Sequence, residues 1–306
     1  MSPHVGVVVL NYNRAADTVA CVQSLQACQY DNLDILVVDN GSTDGSADEI
    51  GARLPGVQVL PLGSNLGFAA GNNRGIDDRL RRGCHYVLVL NNDTVVEPGF
   101  LGPLVAALER TPNAAAATGT IYLHPEVEVL WYGGGTFSPW RSSGFSRGSG
   151  RRRPSVASTA EQSVSFVSGC LMLLRASAIE RFGGFDERFF MYCEDTELSA
   201  RFTGAGQTLL FVPGSRIYHK VRHRNESPMS LYFTVRNRLL LADLRIVGVR
   251  RPAAKVYVHV VHLVKMVFWG FRKPELFDAA LKAFVDYHRR HFFAGRGLLL
   301  GSHQTR

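Results

Sequence analysis

Three short stretches of this chain carry residue types that could do chemistry at useful spacing. The tripeptide Asn91–Asn92–Asp93 follows an apolar run. A carboxylate flanked by amides can hold Mg²⁺ or Mn²⁺ through few protein ligands, leaving other positions to diphosphate oxygens and water. Taken alone, it also reads as a turn capped by Asp93. Residues 183–198 join a Gly183–Gly184 turn, an aromatic run and the pair Glu194–Asp195 at the start of a helical segment. Acids in a first turn stabilise a helix by themselves, but a carboxylate against an apolar wall is desolvated and becomes a better base toward a hydroxyl. The third stretch runs from Asp39 to Ser46. There Asp39 could accept hydrogen bonds from a base or ribose, and the glycine-rich turn leaves backbone N–H groups open to phosphate. His219 could complete a metal shell or touch diphosphate, or be an ordinary surface or core histidine.

These residues need a scaffold that gathers them. The runs Val5–Leu10, Leu33–Val38, Val57–Leu62 and Tyr86–Leu90 alternate with the helical segments Ala15–Ala27, Ser46–Leu54 and Gly67–Arg82. Continuous Val/Ile/Leu runs separated by helices predict buried parallel strands joined by crossovers, hence a mostly parallel, doubly wound α/β sheet with helices on both faces. The runs end alike: in Asn11 and Asn13, in Asp39 and Asn40, near Asn65, and in Asn91, Asn92 and Asp93. Ligands of open α/β sheets bind beyond the carboxyl ends of the strands, so one crevice is expected there. Neither GxGxxG after the first run nor a GxxxxGK loop occurs, which argues against dehydrogenases and P-loop enzymes.

Further along come a helix over Pro98–Arg110, an apolar run through Thr118–Leu123 and an expected flexible loop over 140–160. An apolar run Val164–Leu174, a helix from Glu194 to Thr203 and a final strand Thr208–Val212 follow, with Tyr218–His219–Lys220 beyond it. Two or three helices, over Pro228–Ile246, Ala253–Phe271 and Glu275–His291, close the chain.

The charge is uneven. Of a formal +8, thirteen Lys or Arg against only Glu226 and Asp243 lie between Gly214 and Pro274, and Arg141, Arg147, Arg151, Arg152 and Arg153 form a second cluster. Such fields attract phosphate on lipid, diphosphate substrate or nucleic acid, unless they are merely solvated faces. The segment Val256–Phe271 contains His259, His262 and Lys265 and is too short to span a bilayer, so it reads either as an interfacial amphipathic helix or as a packed one. With 46% hydrophobic residues in 306, the chain can bury a large core. The five cysteines are odd in number and lack CxxC spacing, so reduced core thiols are expected. The start, MSPHVGVVVLNYN, lacks a basic n-region and a small-residue cleavage site, and a cytoplasmic location is expected.

Together the motifs VVVLNYNR (7–14), VVDNGSTDGS (37–46), NLGFAAGNNRG (65–75), VLVLNNDT (87–94), SGCLMLLR (168–175), GGFDERFFMYCEDTELSAR (183–201) and TVRNRLLL (234–241) resemble glycosyltransferase family 2, particularly its bacterial rhamnosyltransferase-like branch. The resemblance implies a GT-A type fold with a catalytic domain over 1–225, its nucleotide-sugar half over 1–97 and its acceptor half over 98–225. A basic helical region over 226–306 would follow it.

The same resemblance assigns residues. Asn11, Asn13 and Arg14 would border the nucleoside, Asp39 would recognise the pyrimidine with Asn40 and Ser42 beside it, and Asn65, Gly67, Asn72, Asn73 and Asn92 would line the nucleotide-sugar crevice. Asp93 and His219 would bind Mg²⁺ or Mn²⁺, Asp195 would be the catalytic base beside Glu194, and Arg236 and Arg238 would lie near the acceptor or diphosphate. The element ending in Asp93 reads NND and offers one carboxylate. The implied activity is inverting hexosyl transfer from a dTDP- or UDP-sugar, dTDP-L-rhamnose foremost, to a glycan, lipid-linked or small-molecule acceptor, with peripheral membrane contact open. UDP-galactofuranose, UDP-N-acetylglucosamine and UDP-glucose are alternative donors. A nucleic-acid-binding protein is the rival class; no nucleic acid partner is expected, because residues 141–153 lack the interleaved aromatics and the strand-end Asn/Asp set would go unexplained.

Overall fold

A computed structural model describes residues 2–152, 160–220 and 227–292. The first four strands are β1 (Val5–Asn11), β2 (Leu33–Asp39), β3 (Gln58–Pro61) and β4 (Tyr86–Asn91), joined through helices α1 (Ala15–Gln26), α2 (Ser46–Arg53) and α3 (Gly67–Arg81). They lie parallel in the order β3-β2-β1-β4. Most of their side chains are Val, Ile or Leu, and those of β1, β4 and the second half of β2 are buried in the core, which is why the sequence shows apolar runs rather than alternation. Register aligns the polar ends: Asn11 sits opposite Asp39, and Leu10 opposite Asn91.

Beyond β4 lie β5 (Thr94–Val96), α4 (Leu101–Arg110), β6 (Ala114–Leu123), β7 (Leu130–Tyr132), β8 (Gly135–Ser138), β9 (Ser143–Ser146), β10 (Gln162–Val164) and β11 (Leu171–Arg175). Helices α5 (Ala176–Phe182) and α6 (Glu194–Gly204) and strand β12 (Thr208–His219) complete the sheet region. Strand β11 inserts antiparallel between β4 and β6, and β12 lies parallel to β6, so the sheet is mixed with a parallel majority in its first half.

Three expectations change at this level. The apolar run Val164–Leu174 is two strands, because Ser168–Gly169–Cys170 breaks it before β11. The final strand does not stop at Val212; a register shift at Pro213–Gly214 absorbs the break and β12 continues to His219, which is therefore inside the strand. In the stretch expected as a loop over 140–160, β9 pairs with β8 and Arg152 bridges to Val129, while residues 153–159, including Arg153, lie outside the described residues.

Helices α7 (Pro228–Arg245), α8 (Arg250–Arg272) and α9 (Pro274–His288) pack on one another around Tyr232, Phe233, Leu239, Ala280 and Phe284, and Phe189 and Phe190 join this second core from the loop before α6. Ser227 caps α7, accepting from Ser230 N at 3.1 Å, and Pro228 opens it.

Candidate active site

At the ends of β1 and β2 the amides and acids form one network. Asp39 Oδ1 accepts from Asn11 Nδ2 at 2.8 Å and from Ser42 Oγ at 2.6 Å, and its Oδ2 accepts from Ser42 N at 3.0 Å. Asn13 Oδ1 accepts from Thr43 N at 2.9 Å, and Asn13 N donates to Ser42 Oγ at 2.9 Å, which holds the turn after β1 against the turn after β2. Asn40 Nδ2 donates to Asn65 Oδ1 at 3.0 Å, while Leu66 N donates to Asn40 Oδ1 at 2.9 Å. Gly41 has φ +72°, and a Cβ there would fall 2.4 Å from the Ser64 backbone, so only glycine fits the crossing of these turns.

The network reaches β4 through a residue that the sequence did not mark. Thr18 Oγ1 donates to Asn11 Oδ1 at 2.7 Å and accepts from Asn92 Nδ2 at 2.9 Å. Asp93 follows. Residue 94 pairs with residue 219 in the antiparallel contact of β5 with β12, and that register sets Asp93 beside His219. Asp93 Oδ1 lies 3.0 Å from His219 Nε2, a charge contact, since no donor meets that buried oxygen with hydrogen-bond geometry. His219 Nδ1 is likewise buried without a partner, and Trp131 stands edge-on to the imidazole with ring centroids 4.7 Å apart.

Burial disfavours the imidazolium, but the Cys170 sulfur and the Asp93 carboxylate offset it and push His219 up to about 10. Burial also keeps Cys170 a neutral thiol, leaving Asp93 as the operative charge. For Asp93 burial acts upward, yet His219 and then Arg14 hold its carboxyl below the usual range. Among the described residues no group of three His, Cys, Asp or Glu is arranged for a metal ion. The fit is thus to a cation taking two protein ligands, Asp93 Oδ1, buried without a hydrogen-bond partner, and His219 Nε2 opposite it.

The carboxylate pair opens α6. Asp195 Oδ2 accepts from Gly169 N at 3.1 Å and Oδ1 from Thr196 N at 2.6 Å. Gly169 belongs to the Ser168–Gly169–Cys170 link, and Cys170 O accepts from Asn91 N at 3.1 Å, so one short segment ties Asp195 to the end of β4. Desolvation raises the Asp195 pKa against the pull of those N–H groups. Glu194 is raised well above its ordinary value by burial first and the Asp195 charge second, and its Oε2 has no partner. Asp195 is closely surrounded by protein yet only half-buried, its open side on the cavity described next.

That cavity, about 630 Å³, is lined by Arg14, Asn92, Asp93, His219, Glu194 and Asp195, with Phe68, Trp131, Phe166 and Met191 supplying an apolar wall. Asn11, Asn13, Asp39, Asn40, Ser42 and Asn65 lie on the adjoining network rather than on this lining.

Other expected residues act elsewhere. Asn73 Nδ2 donates to Phe185 O and its Oδ1 accepts from Phe185 N, both at 2.9 Å, so it fastens α3 to the Gly183–Gly184 turn. Asn72 is buried within α3 and donates to Phe68 O at 2.9 Å. Gly67, φ +84°, packs where a Cβ would lie 2.6 Å from Phe190 O. Arg236 is fully buried and donates to Arg188 O at 3.0 Å and Phe189 O at 3.1 Å, and Arg238 donates through Nε to Arg141 O at 3.2 Å. The side chains of Asn72, Asn73, Arg236 and Arg238 bind protein, and none of the five residues lines the cavity.

Asn237, between those arginines, was missed. Its Nδ2 donates to Phe189 O at 2.7 Å, Met191 O at 2.8 Å and Tyr192 O at 2.7 Å. These carbonyls belong to a strained loop in which Phe190, Tyr192 and Cys193 have φ of 60°, 66° and 69°. Non-glycine residues hold such backbone only where the surroundings enforce it, and this loop delivers Glu194 and Asp195.

The family described as Glycosyl transferase family 2 matches residues 6–183, more than half of the chain. The chain belongs to glycosyltransferase family 2. This family 2 protein is 31% identical over 249 residues to the N-acetylglucosaminyl-diphospho-decaprenol L-rhamnosyltransferase of Mycobacterium tuberculosis, covering 71% of this chain and 76% of that one. It is 22% identical to the dTDP-rhamnosyl transferase RfbF of Shigella flexneri over 96% of this chain and 95% of that one. Two solved structures share the fold of the family 2 chain. GalNAc-T7 with UDP, GalNAc and Mn²⁺ aligns with TM-score 0.64 at 17% identity, over 95% of this chain and 58% of that one. The mannosyltransferase PcManGT from Pyrobaculum calidifontis with GDP-Man and Mn²⁺ aligns with TM-score 0.57 at 16% identity, over 94% and 76%.

Proposed function

We propose that this family 2 glycosyltransferase moves L-rhamnose from dTDP-L-rhamnose to an acceptor hydroxyl, with inversion, in glycan or glycoconjugate assembly. The observation that carries the reading is that the Asp93–His219 pair and the Glu194–Asp195 pair open into one cavity. The names of the Mycobacterium and Shigella relatives support rhamnose as the sugar.

The chain's own residues supply the following chemistry. Asp39, whose Oδ2 accepts one hydrogen bond, keeps acceptor capacity for the N–H of a pyrimidine, with Asn11, Asn13, Asn40 and Ser42 fixing its orientation. Arg14 lines the cavity with Asp93, where its guanidinium would meet the diphosphate. Asp93 and His219 would hold a divalent cation, Mg²⁺ or Mn²⁺, whose charge would offset that of the leaving diphosphate. Asp195 takes the proton of the acceptor hydroxyl as that oxygen bonds to the anomeric carbon; the bond from this carbon to the diphosphate oxygen breaks, and its electron pair leaves with the diphosphate. A single displacement on one face inverts the centre. The wall of Phe68, Trp131 and Phe166 excludes water and keeps Asp195 basic.

The acceptor in this reading is a hydroxyl of a lipid-diphosphate-linked glycan, the kind that the Mycobacterium relative's name describes. Five unpaired cysteines support a reducing, cytoplasmic setting. Incubation with Mg²⁺ or Mn²⁺ and a panel of dTDP- and UDP-sugars tests the donor: dTDP-L-rhamnose should be hydrolysed slowly without acceptor and should raise the melting temperature most. Preference for UDP-galactofuranose, UDP-N-acetylglucosamine or UDP-glucose would replace rhamnose in this account.

A further inference from the structure

Helix α8 is apolar on two opposite stripes. Ala254, Val258, His262 and Met266, spaced by four, are buried against its neighbours. On the far side Val256, Val260, Leu263, Val267, Phe268 and Phe271 are exposed, Phe271 at 91%. A helix packed at the surface of a soluble domain normally turns charge to water on that side. Here the exposed stripe carries none, and no other described residue covers it. Val249, 81% exposed, and Trp140, 54% exposed and stacked 5.9 Å under Arg250, extend the apolar surface past the start of the helix.

Along the sequence of α8 and its flanks the charges are of one sign. Between Asp243 and Glu275 there is no acid, while Arg245, Arg250, Arg251, Lys255, Lys265, Arg272 and Lys273 are cationic, Arg245 being paired with Glu197 and Lys255 with Asp243. Arg250 and Arg251 stand at one end of the exposed stripe and Arg272 and Lys273 at the other, all exposed. Arg251, Lys255 and His259, again spaced by four, line an open groove of about 390 Å³ along its edge. A second copy docked face to face would set these cations against their own kind in either direction of the helices. An anionic lipid surface complements both features at once, with apolar side chains entering the acyl boundary and flanking cations meeting phosphates. Among the described residues no helix is long and apolar enough to cross a membrane, so the helix would lie along the surface.

We infer that the exposed face of α8 seats this protein on the surface of an anionic bilayer, with the helix parallel to the membrane plane. This does not rest on the choice of donor or acceptor, and its test needs neither.

The full chain is floated with vesicles of phosphatidylcholine alone and with vesicles in which part of the lipid is phosphatidylglycerol. It should float with the anionic vesicles, less at high salt, and poorly with the neutral ones. The exposed substitutions Phe268→Glu with Phe271→Glu, and separately Arg250→Glu with Arg251→Glu, should each weaken binding on the order of tenfold or more. Their melting temperatures should match the parent. The inference is overturned if the full chain fails to float with anionic vesicles, whether because residues 293–306 or a second copy covers the face. It is equally overturned if both double variants bind like the parent.

Discussion

Asp93 and His219 face each other, Oδ1 to Nε2 at 3.0 Å, because residues 94 and 219 are partners across the pairing of β5 with β12. They lie 126 positions apart in sequence, and only the closure of the sheet makes them neighbours. Asp93 Oδ1 is buried without a hydrogen-bond partner and faces His219 Nε2, an oxygen and a nitrogen that suit a divalent cation. Asp93→Asn and His219→Ala should therefore each raise the Mg²⁺ or Mn²⁺ concentration for half-maximal transfer by about tenfold or more. Titrating metal into chelator-treated protein measures this; an unchanged midpoint in both variants would remove the pair from metal binding.

Glu194 gives a prediction about stability. Burial and the Asp195 charge raise its pKa in the folded state, so the native form binds a proton more readily than the unfolded chain. Its contribution is favourable below the ordinary glutamate range and is lost as pH rises through the elevated folded value. Glu194→Gln should hence melt higher than the parent at neutral pH, by on the order of 1 kcal/mol in stability. The gap should close as pH falls toward 4. Melting curves across pH check this, and a variant less stable at neutral pH contradicts it.

The same pair sets a pH limb. In the proposed mechanism Asp195 must be ionised to take a proton, and burial lifts its pKa above the usual carboxylate range. The acidic limb of kcat should lie above that range and stay in place in Glu194→Gln, because Glu194, raised further by burial and the Asp195 charge, is still neutral when Asp195 ionises. An acidic limb within the ordinary carboxylate range, or one that moves to lower pH in the variant, would contradict this order of ionisation.

Much of the scaffold could be read before any coordinates. Parallel strands buried on both faces leave unbroken Val/Leu runs, and strand ends that need polar groups show them at once, as Asn11, Asp39 and Asp93 do. The reading failed where the partner is distant. Thr18 looks like any helical threonine until Asn11 and Asn92 are both found on its hydroxyl. Pro213–Gly214 reads as a strand end, yet β6 holds β12 in line on both sides of the shift, and so His219 falls inside a strand. Arg236 and Arg238 were placed near the acceptor or diphosphate by the family resemblance, and in the fold they donate to Arg188 O, Phe189 O and Arg141 O. The signal in TVRNRLLL lay in its uncharged member.

That member, Asn237, holds three carbonyls of the strained loop with one amide nitrogen. Asn237→Ala leaves them short of donors, at a cost on the order of 2–4 kcal/mol, and frees the backbone that aims Asp195. Turnover should fall while donor-induced thermal stabilisation persists. Loss of stability with unchanged kcat would make the residue a structural support only.

The most direct test of the central claim is Asp195→Asn, which keeps the shape of the side chain and removes its basicity. Transfer should fall by about 10²–10⁴-fold while binding of the nucleotide, read by calorimetry, stays near that of the parent. Near-normal turnover in this variant would contradict the account.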